Sequence, residues 1–164
     1  MITVARDVFV GLGSNLDRPT RQVETAFELL QGVAESRVVR RSSLYRSSPL
    51  GGIEQPDFVN AVAAMSTTLT ARELLEELQA IERLRGREDS HIRWGPRILD
   101  LDLLVYGDLI IDEPGLSVPH PGIAVRNFVL LPLREIAPEF KIPGLGRVQD
   151  IAVSEDEPRI SRIA

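Results

Sequence analysis

Two carboxylates one residue apart, Asp100 and Asp102, sit inside the apolar run "ILDLDLLVYG", residues 98–107. Period-two alternation makes this run a β-strand, with Leu99, Leu101, Leu103 and Val105 on one face. Asp100, Asp102, Leu104 and Tyr106 fall on the other. Aspartates at i and i+2 project from the same face with Cα atoms roughly 6–7 Å apart. That spacing lets both converge on one hard cation, or bridge a pair of them, and oxygen donors suit Mg²⁺ with phosphate as a further ligand. The residues alone equally allow aspartates paired with arginines, or set on an exposed edge.

The chemistry available around the pair is that of arginine. Arg83, Arg85, Arg87, Arg93 and Arg97 fall within fifteen residues, and Lys141 is the single lysine of the chain. Guanidinium groups grip phosphates bidentately and neutralise charge on a leaving group. With that lysine in "FKIPGLG", there is neither a P-loop lysine nor a kinase-type strand lysine. The arginine segment also holds Trp94, the only tryptophan, followed by Gly95-Pro96. Only two histidines, His91 and His120, and no cysteine are present, so thiolate and His-rich metal sites are excluded. A net charge of −5 argues against a general nucleic-acid binder.

The elements that must position these groups follow from periodicity. Residues 7–13 read as a strand, with Val8, Val10 and Leu12 alternating. Pro19 opens a helix whose stripe is Val23, Ala26, Phe27 and Leu30, with Gly32 as its stop. Residues 37–46 read as a second strand, 47–57 as a loop rich in Pro and Gly, and 58–69 as a third strand. Thr70 and Glu73 form a capping box for a second helix to about residue 84, with Leu74, Leu75, Leu78 and Ile81 inward. The aspartate strand comes next, then a short helix or turn over 127–138.

The order β-α-β-β-α-β predicts an α+β, ferredoxin-like core: an antiparallel sheet with helices on one face, its first and third strands central. The 164 residues suit a single domain, 1–164, with its core over about 5–150 and a frayed tail at 154–164. The N-terminal run enters a strand pattern directly, without a leader-like or membrane-spanning segment, which points to the cytoplasm.

Four ordered blocks, "GLGSNL", "SSPLGG…QPDFVNAV", "RWGPRILDLDLLVYG" and "VPHPGIAVRNFVLLPL", resemble the 6-hydroxymethyl-7,8-dihydropterin pyrophosphokinase family over about residues 5–140. The resemblance implies transfer of a diphosphate from ATP to a pterin alcohol, with AMP leaving, in folate biosynthesis. It implies that Asp100 and Asp102 hold two Mg²⁺ ions, and that Asp102 can accept the alcohol proton. Arg87 and Arg97 match catalytic arginines that approach the phosphates, and Trp94 matches a residue that closes over the pterin.

Ser47, Leu50, Phe58, Asn60 and Phe128 match the pterin site. A flat, amide-like bicycle indeed wants aromatic faces and an Asn at its edge. Gln79, Glu82, Ser117, His120 and Arg126, with Arg87 and Arg97, match nucleotide-side positions. Asp89, Ser90, Pro114-Gly115 and Pro121 depart from the family pattern on that side. The resemblance implies two small-molecule substrates. The acidic balance with only 5% aromatics speaks against nucleic acid, no membrane span is visible, and the lack of a spare apolar surface stripe points to a monomer. Two other readings fit the residues: metal-dependent phosphoryl or nucleotidyl transfer to another acceptor, and a small-molecule-binding module without catalysis.

Overall fold

The computed structural model describes residues 4–51, 54–86 and 98–163. Its main sheet begins with β1 (Arg6–Ser14), which leads through α1 (Pro19–Gln31) into two short strands, β2 (Ser36–Arg41) and β3 (Tyr45–Ser47). β4 (Phe58–Thr67), α2 (Ala71–Leu84) and β5 (Asp100–Tyr106) follow. Two small hairpins lie beyond: β6 (Ile111–Glu113) with β7 (Leu116–Val118), and β8 (Lys141–Ile142) with β9 (Gly146–Arg147). α3 (Asn127–Ile136) lies between these hairpins, and β10 (Ile160–Arg162) returns to the main sheet.

The main sheet runs β10-β3-β4-β1-β5, with β2 also paired to β4. Its pairings are antiparallel, and β4 and β1 are central. This is the ferredoxin-like order expected of the first and third strands.

Both helices named from periodicity form as read. Pro19 stands in the first turn of α1, Gly32 caps its end, and Val23, Ala26, Phe27 and Leu30 are buried. Thr70 and Glu73 make the reciprocal capping box of α2. Leu74, Leu78 and Ile81 are buried, while Leu75 is only half-buried. Together α1 and α2 cover one face, meeting Val8, Val10, Leu12, Ala61, Ala63, Met65, Leu101 and Leu103 in one apolar core.

Four expectations are corrected. The second strand is two: Ser42 interrupts it, its hydroxyl accepting from the Val62 backbone N–H, so β2 and β3 pair with β4 separately. Val105 does not share a face with Leu103. β1 and β5 slip register where Phe9 pairs with Val105 but Val10 with Leu103, leaving Leu104 as an extra, bulged residue. Beyond that bulge the parity inverts, so Val105 faces away from α1 and α2 while Tyr106 faces them. Helices also cover both faces, because α3 packs Val129, Leu130, Leu133 and Ile136 against Phe9, Val62, Leu104 and Val105 on the second face. Lastly, the expected frayed tail instead contributes β10, paired with β3 through Ile160–Ser47, Ser161–Arg46 and Arg162–Tyr45.

Candidate active site

Side chains on the α3 side of the sheet change character along each strand. At one end Phe9, Val62, Leu104 and Val105 are buried beneath α3, and Phe9 meets Phe140 edge-on at 4.8 Å. At the other end the cross-strand rows are Val62–Gly11–Asp102 and Asn60–Gly13–Asp100. Residues directly opposite in an antiparallel pair point to the same face. Each aspartate therefore stands beside a glycine that offers no side chain. The gap is a cavity of about 280 Å³, lined among others by both glycines, both aspartates, Asn60, His120 and Arg126.

Gly13 makes room for the Asn60 amide. A Cβ there would lie 2.8 Å from Asn60 Nδ2, so the amide occupies the space that glycine vacates. Asn60 is buried, and its Oδ1 accepts a 2.9 Å hydrogen bond from the Ser47 hydroxyl. One edge of the amide is thus anchored. Phe58, two residues earlier on β4, and Phe128, in the first turn of α3, are half-buried and line the same cavity with Leu50. Five residues singled out from the sequence, Ser47, Leu50, Phe58, Asn60 and Phe128, are brought together.

The aspartates are half-buried on the cavity wall. Their strand is pinned from behind by Glu82, a buried α2 carboxylate whose Oε2 accepts from the Leu101 N–H at 2.8 Å. Leu101 is the residue between the aspartates, so Glu82 holds their backbone from beneath and does not line the cavity. Gln79 and Ser117 are exposed and also lie outside that lining. Arg87, Trp94 and Arg97 fall outside the described residues, as do Arg93, Asp89 and Ser90.

His120 reaches the site because of the bulge. The carbonyl of the extra residue, Leu104, accepts a 2.8 Å bond from the His120 backbone N–H. The imidazole Nδ1 in turn accepts from the Gly122 N–H at 2.9 Å, which leaves the ring proton on Nε2. Burial lowers the His120 pKa; Asp102 nearby pulls it up and Arg126 adds to the fall. The net direction is downward, so the ring is mainly neutral at pH 7 and presents one N–H donor. Arg126 packs across Gly122, where a Cβ would stand 2.6 Å from its Nε. His120 and Arg126 thus line the cavity together with Asp102.

Sequence reasoning misses four contributors. Gly11 and Gly13 lie in the "GLGSNL" block, and alternating glycines inside a strand are themselves the signal of a close approach. Asn15, which follows them, is buried and donates from Nδ2 to Gln55 Oε1 and Pro56 O, both at 2.9 Å. It straps one end of the 47–57 loop to β1. Ser48 also lines the cavity, through a loop whose composition gives no hint of which residues face inward.

Comparison with known proteins bears on this arrangement. Residues 9–138 match the family model described as 7,8-dihydro-6-hydroxymethylpterin-pyrophosphokinase. A protein of Pseudomonas aeruginosa, named 2-amino-4-hydroxy-6-hydroxymethyldihydropteridine pyrophosphokinase, is 48% identical over 136 residues, covering 83% of each chain. One of the same name from Haemophilus influenzae is 44% identical over 135 residues, covering 82% of this chain and 84% of its own. Among solved structures, Plasmodium falciparum HPPK-DHPS with pteroate superposes with a TM-score of 0.72 at 14% identity. That match covers 92% of this chain and 42% of the longer one, and establishes likeness of fold.

Proposed function

The chain belongs to the 7,8-dihydro-6-hydroxymethylpterin-pyrophosphokinase family, and from that premise we propose how its residues divide the work. As a member it transfers a diphosphate from ATP to the hydroxymethyl group of 6-hydroxymethyl-7,8-dihydropterin, releasing AMP, in folate biosynthesis. The observation that carries the division of labour is the cross-strand row Asn60–Gly13–Asp100. Strands lie about 4.8 Å apart, so the row places an amide and a carboxylate about 10 Å apart across a side-chain gap. A flat ring can be read at one end and phosphate chemistry done at the other.

The donor set suits magnesium. Asp100 and Asp102 are hard oxygen ligands on one face, half-buried, beside two glycines that leave room for phosphate and water. They would hold two Mg²⁺ ions. Bound there, such ions screen phosphate charge and acidify a neighbouring hydroxyl.

The pterin side belongs to Ser47, Leu50, Phe58, Asn60 and Phe128. Asn60 meets the ring edge, Phe58 and Phe128 supply apolar faces, and Trp94 closes over the ring. On the nucleotide side the neutral His120 donates from Nε2 to a phosphate oxygen, and Arg126 adds fixed positive charge. Arg87 and Arg97 neutralise the transferring group. Gln79 and Ser117 serve the outer nucleotide edge, and Glu82 acts on that side through the backbone it holds. The pterin hydroxymethyl oxygen attacks the β-phosphorus in line as the bond from that phosphorus to the α-bridging oxygen breaks. AMP departs with that oxygen, and Asp102 takes the hydroxyl proton. Most of the acceleration is positioning and charge neutralisation.

No helix among the described residues is long and apolar enough to cross a membrane. The enzyme in this reading is a cytoplasmic monomer serving two small-molecule substrates. A ³¹P NMR time course with ATP, Mg²⁺ and 6-hydroxymethyl-7,8-dihydropterin tests the reaction directly. AMP together with a pterin diphosphate is the expected product pair. ADP or inorganic pyrophosphate would instead mark a transferase with another acceptor, and an unchanged spectrum a binding module.

A further inference from the structure

Segment 154–163 lies beyond the stretch matched to the family, which ends at residue 138, yet it is tied to both walls of the pterin pocket. On one side β10 completes the edge of the sheet beside β3, a strand of three residues that ends at Ser47. The ladder continues past both strands: the Ser48 N–H donates to Arg159 O at 3.0 Å, and the Ile163 N–H to Leu44 O at 2.8 Å. Ser47 anchors Asn60, and Ser48 and Leu50 line the cavity. On the other side Asn127, buried between Arg126 and Phe128 in the chain, turns its amide away from the cavity. Its Nδ2 donates to Ser154 O at 2.9 Å and to Pro158 O at 2.7 Å. Arg162 also reaches Glu135 of α3 at 3.5 Å, on the carboxylate that accepts from Ser43 and the Tyr45 hydroxyl.

We infer that segment 154–163 is a positioning element for pterin binding, clamping the Ser47–Leu50 wall to the Arg126–Phe128 wall without touching the ring. Without β10, the outer groups of β3 lose their partners, and only the β4 side holds Ser47 in place. Asn127 spends both amide hydrogens on this segment, and its Oδ1 has no partner among the described residues. A buried amide satisfied only through this strap ties the start of α3 to where the strap lies. Asn15 secures the far end of the same loop and the strap secures the near end. The two walls that would grip the ring are therefore set relative to one another by ten residues outside the cavity. The inference rests on the pterin assignment made above.

Ser161 offers a clean probe. Alternation along the ladder makes Arg46–Ser161 a hydrogen-bonded pair between Ser48–Arg159 and Leu44–Ile163, and the Ser161 side chain is exposed. Ser161→Pro deletes one ladder donor, whereas Ser161→Ala keeps it. In Ser161→Pro the pterin Kd, titrated with a non-hydrolysable ATP analogue present, should rise about tenfold. The analogue's own Kd and kcat at saturating pterin should stay within about twofold, and Ser161→Ala should match the parent.

Hydrogen exchange on the unaltered chain supplies a second readout that needs no variant. By linkage, pterin binding must slow exchange of the 154–163 amides, although the ring does not reach them. Unchanged pterin affinity in a folded Ser161→Pro protein would overturn the inference, as would equal weakening of both substrates. Unaltered exchange at 154–163 on saturation with pterin would overturn it whatever the variant does. A parent chain that binds ATP analogue but no pterin would instead overturn the pterin assignment, and this inference with it.

Discussion

On one face of the sheet, Val8, Val10 and Leu12 of β1 meet the apolar stripes of α1 and α2. On the other face, the intervening residues of the same strand are Phe9, Gly11 and Gly13. Phe9 alone behaves like its counterparts and packs under α3. The two glycines leave the face bare just where β5 offers Asp100 and Asp102 and β4 offers Asn60. α1 and α2, of 13 and 14 residues, cover their face, whereas α3 has 10 and brings Phe128 and Val129 to the cavity rim. One set of strands therefore carries a sealed side that supplies stability and an open side that supplies chemistry. The boundary between them on the second face lies between Phe9 and Gly11.

Substitutions on the two faces should separate these roles. The largest effect is expected on the open side. Asp100→Ala or Asp102→Ala should lower the rate of AMP formation on the order of a thousandfold or more, because a charge-balancing ligand for transferring phosphate is gone. Neither side chain belongs to an apolar core, so the thermal transition should move little. An active double variant would remove the division between the faces. The mirror experiment is Leu78→Ala. Leu78 is fully buried under the sealed side, and its truncation should cost about 2–5 kcal/mol in chemical denaturation. Activity per folded molecule should persist. A drop in kcat with little loss of stability would show instead that the sealed face is coupled to the site.

What the sequence makes legible divides along similar lines. The sealed side is written in periodicity, since Val23, Ala26, Phe27 and Leu30 can bury only as a helical stripe, and Thr70 with Glu73 can cap only a helix start. The aspartates are legible because a carboxylate pair inside an apolar strand is costly to bury unless something binds it. Asn60 is legible for the same reason. The bulge at Leu104 is not: four apolar residues in a row, Leu103 to Tyr106, carry no parity signal, so the face of Val105 and the anchoring of His120 cannot be read. Nor is β10. Its polar, proline-broken approach, "SEDEPRISR", resembles a solvated tail, and its strand exists only through a tertiary edge that β3 leaves open. Glu82 shows the limit of resemblance: family likeness marks the position, but the bond to the Leu101 N–H, which gives it a physical role, needs the structure.

The smallest of these effects tests how the open side is itself divided, at Gly13. Alanine there keeps the strand, and φ is no obstacle, since glycine in this position is needed for space and not for backbone freedom. The added Cβ would lie 2.8 Å from Asn60 Nδ2. The amide sits at the end of a side chain and can give way, but only by loosening its 2.9 Å bond from Ser47. We expect Gly13→Ala to fold with a thermal transition within a few degrees of the parent, and to bind an ATP analogue normally. Pterin affinity should fall about tenfold, the scale of one misplaced buried hydrogen bond. Asp100, the other neighbour of Gly13, should feel no such clash, because the one crowding contact is with the Asn60 amide on β4, not with β5. A loss confined to the pterin would place the reading of the ring on the β4 side of Gly13 and the phosphate chemistry on the β5 side. Equal losses for both ligands would mean that the glycine row acts as one undivided site.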